Sequence, residues 1–169
     1  RKNGVDIGQS TVDEVQATYR FNYLTSFLAV YYPAMDVLQD EDDFHDLAAA
    51  YFERARANGV VRAECFFDPQ AHTSRGIAIE TVIRGYHRAV VEAREAGLSA
   101  DLILCFLRDM SAQSALETLQ AALPYKDMFI GVGLDSDERD NPPTKFAEVF
   151  ALAREAGLHV TMHCDIDQV

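Results

Sequence analysis

Acidic and imidazole side chains recur at the ends of apolar runs in this chain of 169 residues. Asp68 follows the run 60–67, Asp109 follows 101–107 and Asp135 follows 128–134. The run 158–164 ends in His163 and Cys164, with Asp165 and Asp167 just beyond. A single Asp after a strand is ordinarily a turn or cap residue. Acids repeated at the same place after four runs form a rim that attracts cations and disfavours phosphate. Five histidines accompany them. His45 and His87 fall in helical patterns and read as surface residues. His159 and His163 share one face of a strand, but at ~3.3 Å per residue they stand ~13 Å apart and cannot hold one ion. His163, at the downstream end, is the metal-ligand candidate; the bland alternative is a buried, hydrogen-bonded histidine. His72 follows the run 60–67 by a short loop and is placed to face the mouth of such a site.

Other chemistries are excluded. Schiff-base catalysis needs a lysine at the downstream end of a strand. Lys126 precedes its strand, Lys145 lies on a helix, and Lys2 is the third and last lysine. Gly131-Val132-Gly133 is a fragment of a dinucleotide loop, but no third glycine follows and Asp135, Asp137, Glu138 and Asp140 crowd the place for phosphates. Three cysteines, Cys65, Cys105 and Cys164, form no Cys-x-x-Cys pair. A disulfide framework or four-thiolate site is therefore not expected. Cys65 and Cys105 read as small buried side chains. No charged-then-apolar leader pattern is visible at the N-terminus, so a reducing cytoplasm is the expected location. Lys plus Arg is 15 and Asp plus Glu is 27, a net charge of −12. That balance repels a nucleic-acid polymer. No apolar run approaches the ~18 residues of a membrane span. A small-molecule partner is expected, and the sequence leaves homo-oligomerisation open.

The elements that must position these groups alternate. Helical spacing covers 41–58, with Phe44, Leu47, Ala48, Tyr51, Phe52 and Ala55 on one face, and again 78–96, 111–123 and a segment opened by Pro142 and Pro143. Ser111 is placed as an N-cap. Between the helices lie the four apolar runs, continuous rather than alternating, as in strands covered on both faces. The hexamer Ala-Arg-Glu-Ala-Gly-Leu occurs at 93–98 and again at 153–158, each time ending a helix and opening a strand. The fold class is α/β with a parallel sheet, as a (β/α) barrel or a doubly wound sheet. In both, the site lies at the carboxyl ends of the strands. The first 40 residues differ: a helical pattern over 11–21 and the aromatic stretch 27–35, broken by Pro33.

The stretch Phe66-Phe67-Asp68-Pro69-Gln70-Ala71-His72-Thr73-Ser74-Arg75-Gly76-Ile77 resembles the strand-and-loop signature of bacterial adenosine/adenine deaminases. So do Leu104-Cys105-Phe106-Leu107-Arg108 and Gly131-Val132-Gly133-Leu134-Asp135-Ser136, the latter followed by Pro142-Pro143 and Lys145-Phe146. The resemblance runs over nearly the whole chain, and residues 27–32 resemble the family's helical lid. It implies a metal-dependent (β/α)8 TIM barrel of the amidohydrolase superfamily, with residues 1–40 as a lid region. It also implies zinc, one ion per barrel, and hydrolytic removal of ammonia from an adenine- or adenosine-like purine. Substrate-binding positions fall on Phe27, Asp68, Asp135 and Ser136.

The family's metal site uses His-x-His after the first strand, a His after the fifth and an Asp after the eighth. His163 matches the fifth-strand ligand and no His-x-His occurs here, so the 169 residues are expected to cover strands 2 to 5, about half of a barrel. In the family the fifth-strand His is followed by Ala-Gly-Glu, with the Glu as the acid. Here Cys164-Asp165-Ile166 follows His163, with Ile166 at the Glu position. Asp167 after a one-residue shift, or Asp165, is then the expected catalytic acid. The departure keeps two alternatives: another metal-dependent amidohydrolase with a different amine substrate, and a non-catalytic relative.

Overall fold

In a computed structural model, which describes residues 2–164, four strands form one parallel sheet in the order β1-β2-β3-β4. They are β1 (Arg62–Phe67), β2 (Ser99–Leu107), β3 (Gly131–Asp135) and β4 (His159–Val160). Helices α1 (Val12–Thr18), α2 (Leu24–Ala34) and α3 (Glu41–Ala57) precede the sheet. The short α4 (Pro69–Thr73) and long α5 (Ile79–Glu95) join β1 to β2. Next come α6 (Ala112–Ala122), before β3, and α7 (Ala147–Glu155), before β4. Sequential parallel neighbours joined by helices are the βαβ repeat expected from the alternating pattern.

The strand ends differ in detail from the apolar runs. Val60 and Val61 lie outside β1 and are exposed. Residues 123–128 form a 3-10 turn that starts at Leu123 and carries Pro124, so β3 begins only at Gly131. Beyond β4, pairing continues: Thr161 N–H donates to Val132 O at 3.0 Å, and His163 N–H to Leu134 O at 3.0 Å.

The two hexamers end their helices in the same way. Leu98 N–H donates to Ala93 O and Leu158 N–H to Ala153 O, both at 2.9 Å, around Gly97 (φ +89°) and Gly157 (φ +83°). This is the glycine-stopped helix end whose left-handed backbone favours a residue without Cβ. It turns the chain directly into the next strand.

The core lies between the helices and one sheet face. Ala63, Phe67, Leu102, Leu104, Phe106, Val132 and Leu134 supply the sheet side. Phe44, Phe52, Val82, Ile83, Ala89, Val90 and Ala93 supply α3 and α5. Gly85 allows the two helices to close up, because a Cβ there would lie 2.5 Å from Glu41 O and 2.7 Å from Phe44 Cβ. Leu47 and Tyr51, on the predicted apolar stripe of α3, remain 44% and 52% exposed. They flank β1, an edge strand among the described residues. The opposite sheet face presents Arg62, Glu64, Phe66, Ile103, Gly131, His159 and Thr161, which line an open cleft.

Candidate active site

Register decides which rim residues meet. Cys105 pairs with Gly133, Leu107 with Asp135, Phe67 with Leu104, and Gly131 with His159. Extending these parallel pairings by single steps puts Asp68 beside Cys105 and His163 beside Asp135. Side chains alternate faces along a strand. Asp68, Cys105, Asp135 and His163 therefore share the face that carries the cleft, at the carboxyl ends of the strands, where barrel enzymes place their sites. The ligand atoms of Asp68, Cys105 and Asp135 all lie within 4.8 Å of one another.

These side chains are not spent on local structure. Asp68 occupies the cap position of α4, yet its side chain makes no cap hydrogen bond. Among the described residues, Asp68 Oδ1, Asp135 Oδ1 and Ser136 Oγ are buried polar atoms without a hydrogen-bond partner. Ser136 adopts φ +71°, a left-handed backbone that costs a non-glycine residue on the order of 1–2 kcal/mol. That turn at the end of β3 buries its hydroxyl beside Asp135. The Ser136 hydroxyl is within reach of the Tyr32 phenol, but native interiors pair nearly all such atoms, so the two carboxyl oxygens on one rim point to a ligand.

Burial and mutual repulsion set the protonation. Burial pushes Asp135 well above the usual carboxylate range, and the neighbouring Asp68 carboxylate pushes it further. Burial raises Asp68 as well, while its hydrogen bond to Asp135 and the charge of His163 pull it down. Two buried carboxyl groups in this contact share a proton rather than both ionise. Burial likewise lifts the Cys105 thiol well above its ordinary value, so it stays protonated.

Aromatic rings close one side. Phe21, Phe27 and Tyr31 follow one another with centroids 5.0 Å and 5.3 Å apart, and Tyr31 meets Tyr32 at 5.4 Å. Burial and the charge of Asp68 push the Tyr31 phenol up to about 12 and that of Tyr32 higher. Phe27, predicted to touch substrate, is half-buried and stands one ring further out than Tyr31. Arg139 in the loop after β3 donates to Thr25 Oγ1 and ties α2 to that loop.

His163 is exposed, with its ring 5.1 Å from that of Phe66. Asp109 is exposed at the rim and adds repulsion at Asp135. His72 does not face the mouth. It is 2% exposed, packs edge-on to Phe44 at 4.7 Å and accepts a hydrogen bond from Arg75 Nη2 at 2.9 Å. Burial, aided by Arg75, depresses it to about 4 and keeps it neutral. Asp165 and Asp167, the expected acids, lie outside the described residues. Cys105, Tyr31 and Tyr32 join the site without having been singled out as site residues. A thiol within an apolar run carries no signal by itself. Only the fold shows its place, opposite Gly133, where a Cβ would lie 2.7 Å from Cys105 Sγ.

The donors at this rim, an imidazole at the end of β4 and oxygens without partners across from it, suit a borderline divalent cation such as zinc. No helix of the described residues is long and apolar enough to cross a membrane.

Comparison with known proteins places these features. The family model for adenosine deaminase matches residues 1–165. An adenine deaminase of Geotalea uraniireducens is 55% identical over 163 residues, 96% of this chain and 46% of that protein. An uncharacterized deaminase of Schizosaccharomyces pombe is 49% identical over 168 residues, 99% of this chain and 50% of that one. Among solved structures, adenine deaminase from Arthrobacter aurescens superposes with a TM-score of 0.93 at 47% identity, covering 96% of this chain and 50% of that chain. An amidohydrolase from Burkholderia ambifaria with bound Zn has a TM-score of 0.76 at 28% identity, over 91% of this chain and 44% of that one. The chain thus spans about half the length of the curated relatives it matches. Its four parallel strands correspond to part of the (β/α)8 barrel that these structures share.

Proposed function

From the premise that this chain belongs to the adenosine deaminase family, we propose that it carries part of the active site of a hydrolytic deaminase acting on adenine or a close purine analogue. The observation that carries this reading is the proton-sharing pair Asp68 and Asp135, whose Oδ1 atoms are buried without partners. When their mutual hydrogen bond is exchanged for bonds to a ligand, the carboxylic acid and the carboxylate offer one donor and one acceptor. A purine base presents the complement, a ring nitrogen with a lone pair next to a ring N–H. A ribose on that N–H would remove the donor, so the pair favours a free base over a nucleoside. Relatives at 55% and 47% identity are named adenine deaminases, which agrees with this choice.

In this reading His163 holds zinc through its imidazole, as the histidine just beyond the carboxyl end of β4. When bound, zinc supplies Lewis-acid activation of water at near-neutral pH. Ser136 orients the base through its hydroxyl, and Phe27, Tyr31 and Tyr32 on α2 cover the pocket and exclude water. Residues 1–40 then serve as a lid region. Asp167, or Asp165, supplies the proton to the ring nitrogen. Such an enzyme needs no nucleic-acid polymer partner, and free cysteines at 65, 105 and 164 suit the cytoplasm. Ile166, at the family's Glu position, favours a second reading, in which the same barrel removes another amine.

The test measures ammonia release by the intact, zinc-loaded protein with adenine, adenosine and other 6-amino heterocycles. Adenine is expected to give the highest kcat/KM, and Asp68→Asn is expected to lower it by ~100-fold, the loss typical when a site built to hydrogen-bond its substrate is left unpaired. Turnover of adenosine as fast as adenine would remove the role of the carboxyl pair. Zinc retention with no purine turned over would favour the second reading.

A further inference from the structure

Arg108 stands directly after β2 and is fully buried, at 0% exposure. A buried guanidinium costs several kcal/mol unless it is paired and hydrogen-bonded, so its contacts should explain why it is there. Nη1 donates to the carbonyl of His163 at 2.8 Å and Nε to the carbonyl of Asn141 at 3.0 Å, while Nη2 is buried without a partner. Glu138 Oε1 lies 3.4 Å from Nη1, in an ion pair whose side chains are 1% and 4% exposed. The backbone joins in: Arg108 N–H donates to Asp135 O at 3.1 Å, and Arg108 O accepts from Lys145 Nζ at 2.9 Å. One residue therefore bonds to the ends of β3 and β4 and to the loop between them. His163 is held on both sides, since its N–H is bonded to Leu134 O and its carbonyl to Arg108. With both backbone groups fixed, only side-chain rotation is left to its imidazole.

We propose that Arg108, braced by Glu138, is the positioning residue that fixes His163 for metal binding. This rests on the reading of His163 as a zinc ligand. Lysine would keep the positive charge but lose the fork that reaches two carbonyls and a carboxylate at once. Groups that orient a metal ligand typically contribute 10–100-fold to affinity, and the same range is expected here.

The experiment uses the intact protein stripped of metal and titrated with zinc alone against a chromophoric chelator. It compares the parent with Arg108→Lys, Glu138→Gln and His163→Ala. Circular dichroism and thermal unfolding of the zinc-free proteins establish that each is folded. The expected result is a zinc dissociation constant raised ~10–100-fold in Arg108→Lys, and raised less in Glu138→Gln. In turnover, kcat should fall while KM for adenine stays near the parent value. A purely structural role would lower the melting temperature and leave zinc affinity alone. Zinc affinity within ~2-fold of the parent in folded Arg108→Lys overturns the proposal, the drop on losing a residue that orients a metal ligand being ~10-fold or more. If Arg108→Lys does not fold, Glu138→Gln with parental affinity overturns it instead. If His163→Ala binds zinc as tightly as the parent, the ligand reading fails, and the proposal with it. If His163→Ala loses zinc while Arg108→Lys keeps it, only the positioning role fails.

Discussion

Asp135 holds its proton in the fold far above the pH near ~4 at which an unfolded aspartate loses it. Above that pH the folded state binds more protons than the unfolded state, so this residue withdraws stability as pH rises. Asparagine at the same place can still donate to Asp68 but does not titrate. Asp135→Asn is therefore expected to melt higher than the parent at pH ~8, with the gap closing toward pH ~4. A gain on the order of 1 kcal/mol corresponds to about 2–4 °C in a protein of this size class. Thermal unfolding across that range checks it, and a gap that does not change with pH contradicts the shared proton. At this scale the residues of the candidate rim were legible as positions. Asp68, Asp135, Ser136 and His163 were picked out because each follows an apolar run, and the fold brings Asp68 and Asp135 together. Cys105 could not, since one thiol in an apolar strand looks like packing. Arg108 stood in a motif, but nothing in its neighbours announced that it would be buried and would reach residue 163. His72 misled because a histidine in a rim loop and a histidine under Phe44 have the same sequence surroundings.

Strand register turns a list of rim residues into a site. Shifting a strand by one residue sends every side chain to the other face, and would separate Asp135 from Asp68. Gly133 guards the β2–β3 pairing, because it leaves room for Cys105 Sγ, which a Cβ would approach to 2.7 Å. Gly133→Ala is expected to cost about 1–3 kcal/mol through overpacking. Cys105→Ala should restore most of that loss by vacating the space. Denaturant midpoints of the two single variants and the double variant give the coupling between them; strictly additive losses would mean that the crowding lies elsewhere. Periodicity located α3, α5, α6 and α7, because one face of each is buried, but not the limits of α2, which buries no residue. Strand limits were harder to read. Val60 extends the apolar run but not the strand, Val61 joins the ladder only through its carbonyl, which accepts from Ser99 N–H, and the run at 128–134 began at the end of a 3-10 turn that carries Pro124. Hydropathy reports burial, whereas a strand's limits are set by which backbone groups find partners.

The whole sheet has one well-buried face and one that is only partly covered. On the cleft side Phe66 is 36% exposed, and around the edge of β1, unpaired among the described residues, stand Val61 at 79%, Tyr51 at 52% and Leu47 at 44%. Between them lies a second hollow, lined in part by Tyr31, Cys65, Phe67 and Tyr86. An unpaired parallel edge next to exposed apolar side chains is a template for further pairing. The segment 1–169 expressed by itself is therefore expected to self-associate in the micromolar range and to bind a hydrophobic dye. Leu47→Glu with Val61→Lys should reduce both, since neither side chain supports the core under α3 and α5. Sedimentation velocity over a concentration series measures the association. A monomer that stays dispersed and dark with the dye would show that α1, α2 and α3 already suffice to cover the edge. The same two substitutions placed in the intact protein separate the remaining cases. If the edge is paired there, they lower the melting temperature; if it faces water, they leave it unchanged, because exposed substitutions usually shift stability by less than ~0.5 kcal/mol.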